Sequence, residues 1–206
     1  MKLYGARMSA NARRVKVYLI EKGISLEQVD FEIPYSEMNT EAFAQKSPTL
    51  RIPVLELDDG SSIVESIAII EYLEELYPEP NMLGATPEER AFTRMMSSIV
   101  TDLVLPIGTY VRHRGVDPGF LESRGLRRYP EMAEFFLGTV NRGLGAFETL
   151  MGDNEFLTGN RPMIPDCHAY AILQACVEKF DYEFTDRVPR LAAWYERFST
   201  RPSAPM

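Results

Sequence analysis

Two cysteines in 206 residues leave little room for covalent or metal-based architecture. Cys167 and Cys176 stand nine apart, which on a helix turns them about 180° away from each other over a rise of roughly 13 Å. That exceeds disulfide reach, so the reading predicts no bridge and two thiols packed as small apolar side chains. Histidine is as scarce: His113 and His168 are the only two, and neither sits in a cluster with metal-ligand spacing. No metal centre is predicted. No apolar run approaches the ~20 residues that span a bilayer, so no membrane association is expected. Lys and Arg number 22 against 30 Asp and Glu, for a formal net charge of −8. A surface of that sign repels polyanions, so nucleic acid is not an expected partner. The opening Met1-Lys2-Leu3-Tyr4-Gly5 has no apolar stretch of signal-peptide length before Arg7, Arg13 and Arg14, and a cytoplasmic location is the expectation.

What is present is an ordinary globular composition, 45% hydrophobic and 25% charged, and enough chain for one large or two small cores. Residues 1–78 alternate short strands with helices. Lys2–Ala6 reads as a strand, and 10–23 as a helix with Val15, Tyr18 and Leu19 on one face and Gly23 as its stop signal. Leu26–Phe31 is strand-like, and Pro34–Ala44 is loop or weak helix. Ile52-Pro53-Val54-Leu55 opens a hairpin over 53–57 and 62–64, because proline cannot donate to a ladder and suits a strand's first residue. An X-Pro bond is also where a cis peptide is tolerated. Asp58-Asp59-Gly60 supplies the turn. Ser66 then reads as the N-cap of a helix over 66–77, with Ile67, Ile70, Leu73 and Leu76 as its buried face. This order of elements is thioredoxin-like.

Residues 79–87, with three prolines and a glycine among 78–87, form the predicted linker. From 88 to 206 the pattern is helical: roughly 87–112, 130–151, 166–180 and 188–199, broken by the Gly- and charge-rich Asp117–Tyr129. Thr86-Pro87-Glu88-Glu89 is a strong helix start. The predicted fold class is therefore an α/β thioredoxin-like N-terminal domain plus an all-α C-terminal domain.

Several segments, in order, resemble the glutathione S-transferase family. Lys2-Leu3-Tyr4-Gly5-Ala6 resembles its first strand, and Ser9-Ala10-Asn11-Ala12-Arg13-Arg14-Val15 its active-site loop and first helix. Ser47-Pro48-Thr49-Leu50-Arg51-Ile52-Pro53-Val54-Leu55 resembles the family's Asn-Pro-x-x-Lys-Val-Pro-Val-Leu segment. Glu65-Ser66 resembles the acidic-Ser pair that holds the peptide, while Phe156-Leu157-Thr158-Gly159, Asp166 and Trp194 fall where the helical domain has its signature. One departure is visible. The family usually places Ser or Thr three residues before the aspartate, as half of a capping box, and here that residue is Met163.

The resemblance implies a cytosolic, homodimeric glutathione transferase of the serine type. It would use glutathione as co-substrate against a small electrophile, or run a related isomerisation or dehalogenation; a non-catalytic interaction protein on the same fold is the alternative. Ser9 has two roles open to it, a helix N-cap and a donor to the glutathione sulfur. The second is physically sufficient. A free thiol with pKa ~8.5 needs ~2.7 kcal/mol of preferential anion stabilisation to drop about two units. One hydrogen bond to a charged group supplies ~1.5–3 kcal/mol and a helix N-terminus ~0.3–2. Asn11 is the rival donor. Tyr4, inside the first strand, reads as core, and no cysteine stands in this loop.

By the same resemblance, Ile52 before Pro53 offers its backbone to the cysteinyl part of glutathione, and Glu65 and Ser66 take the γ-glutamyl end. Arg51 either pairs with the glycine carboxylate or remains a solvated edge charge. The basic stretch Tyr110-Val111-Arg112-His113-Arg114, followed by Arg124, Arg127 and Arg128, is either a solvated helix end or a mouth for a polar electrophile, with Tyr110, His113 and Arg114 as its candidate contacts. Asp102 on the long helix is either a surface acid or a group reaching a neighbouring subunit.

Overall fold

The computed structural model describes every residue except Met8, 33–35, 116–120, 123–124 and Met206. Pro34, Asp117 and Arg124 of the sequence reading lie outside the described residues. The chain divides into two units, Met1–Leu83 together with Arg201–Met206, and Gly84–Thr200.

The first unit is built on a four-stranded sheet in the order β2-β1-β3-β4. Strand β1 (Lys2–Gly5) runs parallel to β2 (Glu27–Asp30), joined by helix α1 (Ala10–Lys22). β3 (Val54–Glu56) lies antiparallel to β1, and β4 (Ser62–Val64) antiparallel to β3. Leu3 faces Leu55 across the ladder, and both are fully buried. Val15, Val17, Tyr18 and Leu19 of α1 join Ile69, Ile70 and Leu73 of α3 (Ser66–Leu76) in the core. Gly23 closes α1 in the left-handed region at φ 73, where glycine alone carries no Cβ penalty. A short 3₁₀ turn (Ser36–Asn39) and helix α2 (Glu41–Lys46) fill the stretch before β3.

Three details differ from the sequence reading. Ser66 is the first helical residue of α3 rather than its cap; the N-cap is Glu65, at φ 71 and with no side-chain capping bond. Leu76 is 48% exposed, while Ile69 is fully buried. Spacing by threes drifts about 60° per step, so Leu76 ends about 180° from Ile67. Tyr4 is only partly buried: its ring stacks on Phe31 and its hydroxyl donates to Glu56 at 2.6 Å.

A buried polar knot also ties the unit together. Glu74 accepts from Tyr18 (2.7 Å), Lys22 (2.6 Å) and the Met82 N–H (2.7 Å), and Lys22 donates further to the Pro80 carbonyl. Every partner of the carboxylate is supplied, which is what a charge this deep requires. The C-terminal segment belongs here because Arg13 donates to the carbonyls of Ser203 (2.7 Å) and Ala204 (2.6 Å), and Arg201 grips Glu21 with two bonds.

The second unit is helical: α4 (Pro87–Arg114), α5 (Pro130–Met151), α6 (Ile164–Phe180) and α7 (Pro189–Ser199). The Thr-Pro-Glu-Glu run starts α4 as predicted, and a reciprocal capping box between Thr86 and Glu89 closes its first turn. Helix α6 begins two residues before the predicted start, since Pro165 is tolerated in a first turn. Cys167 and Cys176 both lie on it, buried and unbridged. Burial pushes the Cys176 thiol up to about 12. Among the described residues, no helix is long and apolar enough to cross a membrane.

Candidate glutathione site

At the start of α1 the backbone turns from extended into helix at Ser9 (φ −94, ψ 115), whose hydroxyl oxygen accepts the Ala12 N–H at 3.4 Å. The oxygen's acceptor side is thus engaged and the hydroxyl hydrogen remains to donate. Both roles open to Ser9 share this one geometry. Two residues on, Asn11 is exposed, and its carboxamide oxygen accepts from the guanidinium of Arg14. Arg14 itself is 3% exposed. Burial lowers its pKa to about 10 against the opposing field of Glu65, so it stays a cation at neutral pH.

The segment before β3 is held from beneath by Ser47, which is fully buried. Its hydroxyl donates to the Arg51 carbonyl at 2.9 Å and accepts the Arg51 N–H at 3.2 Å. Leu50 sits at φ 52 and donates to the Ser47 carbonyl, closing the turn that presents Arg51. The Ile52–Pro53 peptide bond is cis. Between β4 and α3, Glu65 stands at φ 71, a region that costs a non-glycine residue about 1–3 kcal/mol and that concentrates at functional sites.

These three segments enclose one recess of about 40 Å³, lined by Asn11, Arg51, Ile52, Pro53, Glu65 and Ser66, with Thr49 and Val64 completing its wall. Six of the seven residues predicted for thiol and peptide binding meet here. Ser9 does not line the recess; it sits at the N-terminus of the same helix as Asn11.

Family models for the glutathione S-transferase N-terminal and C-terminal domains match residues 3–81 and 103–202. Maleylacetoacetate isomerase of Pseudomonas aeruginosa is 31% identical over 194 residues, covering 93% of this chain and 87% of that protein. The chain belongs to the glutathione S-transferase family. A glutathione S-transferase domain-containing protein of Marinobacter aquaeolei superposes with a TM-score of 0.83 at 32% identity, both chains covered fully. A glutathione S-transferase of Methylobacterium radiotolerans, solved in complex with glutathione sulfonate, gives 0.79 at 26% identity over 98% of this chain and 92% of that one.

In the helical unit of this transferase-family chain, the predicted electrophile contacts carry structural bonds. Arg114 donates to the carbonyls of Phe180 (2.6 Å) and Asp181 (2.8 Å), capping the end of α6, and its guanidinium lies 5.8 Å from the Tyr110 ring centre. Tyr110 meets Tyr182 edge to face. His113 Nδ1 accepts the Tyr129 N–H at 3.0 Å. A separate cavity of about 410 Å³ lies between the start of α4 and residues 158–163, and none of these three side chains lines it.

The Met163 departure is resolved by backbone. The Asp166 N–H that a hydroxyl would accept donates instead to the Met163 carbonyl at 3.0 Å. The fully buried Asp166 carboxylate accepts from the N–H groups of Leu157 (2.9 Å) and Met163 (2.9 Å) and from Trp194 Nε1 (2.7 Å). Arg14 and Ser47 are the site residues that sequence reasoning missed.

Proposed function

We propose that the recess binds glutathione and that the N-terminus of α1 holds its sulfur as a thiolate for attack on a small electrophile. Glu65 meets the γ-glutamyl amine, and the Ser66 hydroxyl and N–H at the start of α3 meet its carboxylate. The Ile52 backbone pairs with the cysteinyl unit and Arg51 with the glycine carboxylate. Ser9 is the hydroxyl donor to sulfur and Asn11 a second donor beside it. In a substitution, thiolate attacks the electrophilic carbon, the carbon–sulfur bond forms as the leaving group departs with its electron pair, and the thiol proton passes to solvent. The observation that carries this reading is the convergence of Asn11, Arg51, Ile52, Glu65 and Ser66 on one recess from segments far apart in the chain.

The test is retention on immobilised glutathione followed by conjugation of a generic aryl halide at about millimolar glutathione, the upper range of ordinary KM values. Retention with turnover supports the reading. Failure of both returns the protein to the non-catalytic interaction class. The 31% identity to a maleylacetoacetate isomerase favours glutathione-dependent isomerisation as a second reading, checked by assay with maleylacetoacetate. In that reaction thiolate adds, a bond rotates, and the same thiolate leaves.

We further propose a cytoplasmic location and a homodimer, the homodimer supported by apolar side chains such as Leu105 (66% exposed) and Phe135 (76%) that a single chain leaves in water. Sedimentation of the purified protein checks it. Tyr110, His113 and Arg114 remain the proposed electrophile contacts, read through the KM of the second substrate in Tyr110→Phe.

A further inference from the structure

We propose that Arg14 is a positioning residue for the thiol: its buried guanidinium holds the Asn11 carboxamide with the oxygen inward and the amino group turned toward glutathione. The inference rests on the glutathione reading of the recess. A guanidinium only donates, so the atom of Asn11 that it meets is the oxygen. With the oxygen taken, the NH₂ on the same trigonal carbon is the group left to donate, and Asn11 lines the recess. Left alone at the start of a helix, the same oxygen would be drawn to the unpaired N–H groups of the first turn. Arg14 removes that choice and makes Asn11 a dedicated donor.

Burial of the cation fits this role better than one of packing. Arg14 is 3% exposed and its Nε has no hydrogen-bond partner, an arrangement that is costly for a guanidinium whose only task is to hold a helix together. Its neighbour Arg13 shows the structural alternative, with a guanidinium donating to two carbonyls of the C-terminal segment. Arg14 instead faces two groups of the recess wall, Asn11 by hydrogen bond and Glu65 through its field. A chain of donors running from a buried cation through an amide to a thiolate polarises in one direction, each bond strengthening the next.

The experiment follows thiolate ultraviolet absorbance of bound glutathione against pH in wild type, Arg14→Lys, Arg14→Met and Asn11→Asp. Calorimetric affinity for S-methylglutathione, which has no thiol to ionise, is the control. Asn11→Asp keeps the pairing with Arg14 but offers no donor, and Arg14→Lys keeps the charge but loses the planar fork. Each is expected to raise the bound thiol's pKa by about one unit, which from ~6.5 leaves about threefold less thiolate at neutral pH. Arg14→Met should raise it further. S-methylglutathione affinity should change by less than about threefold.

A residue that merely holds α1 together would lower the melting temperature and leave the thiol pKa alone. Glutathione bound with wild-type thiol pKa in Arg14→Lys and Arg14→Met overturns the proposal. If those two variants fail to fold, an unshifted pKa in Asn11→Asp overturns it. Wild type that binds neither peptide refutes the glutathione reading and this inference with it, whereas binding with unshifted pKa values refutes this inference alone.

Discussion

At the scale of single residues, polar groups are placed where one partner's chemistry dictates the other's orientation. Ser9 accepts from the first turn of α1 and so has only its hydrogen left to give. Replacing it by alanine removes one charge-assisted bond to a thiolate, worth ~1.5–3 kcal/mol, so kcat/KM at neutral pH is expected to fall about ten- to a hundred-fold. Loss of the weak cap adds about 1 kcal/mol of destabilisation. Steady-state kinetics and a thermal melt on the same preparation separate the two effects. An activity loss confined to Asn11→Ala would move the donor role to that residue.

Asp166 makes the second residue-scale prediction. Burial raises its carboxyl to about 6, and the Leu157, Met163 and Trp194 donors pull it back. A folded-state pKa above the unfolded value adds stability that is complete below about 3.9 and lost as pH rises through about 6. Asp166→Asn has no such titration. It also turns an NH₂ toward one of three buried donors and should cost about 1–3 kcal/mol. Urea melts of both proteins from pH 4 to 8 should show the gap widest at the acid end and level above about 6. A gap that widens with pH would reverse the assignment.

At the scale of elements, two glycines on α5 test the packing directly. A Cβ on Gly143 would stand 2.2 Å from the Leu103 Cδ2 atom of α4, a side chain only 7% exposed, whereas one on Gly145 would meet nothing within 4 Å. Gly145→Ala should stabilise by about 0.5–1 kcal/mol through helix propensity. Gly143→Ala should destabilise, because overpacking of about 1–3 kcal/mol outweighs the same gain. Thermal melts of opposite sign are the expected result.

Elements are also where the sequence was most and least informative. The hairpin turn, the helix α1 with its glycine stop and the start of α4 were legible because each is dictated by neighbours within four residues. The face of α3 was not: threes in the sequence suggested Leu76, while the helix rotates at 3.6 and buries Ile69. Nor was the cap, because Glu65 reaches its positive φ only under the constraint of the surrounding fold. Arg14 went unread for a related reason. Its partner Asn11 is local, but its burial is set by the rest of the unit.

On the scale of the molecule, the alternation of strands and helices followed by an all-helical half was readable, and the family resemblance agrees with the models matched over 3–81 and 103–202. The return of residues 201–206 to the first unit was not readable. Arg201-Pro202-Ser203-Ala204 has no periodicity, and its placement rests on Arg13 and Glu21, some 180 residues away in the chain. The candidate site shows the same division. Its members were nameable one by one from motif, but their convergence on one recess is a property of the folded unit.

The central claim is that this recess is the glutathione site. Calorimetric titration of wild type and Glu65→Gln with glutathione, beside thermal melts, tests it most directly. Glutamine keeps the shape and the backbone but gives up the charge-assisted bond to the γ-glutamyl amine. Saturable binding in wild type, weakened about ten- to a hundred-fold in Glu65→Gln with an unchanged melting temperature, is the predicted result. Equal affinity in the two proteins, or no saturable binding in wild type, would contradict it.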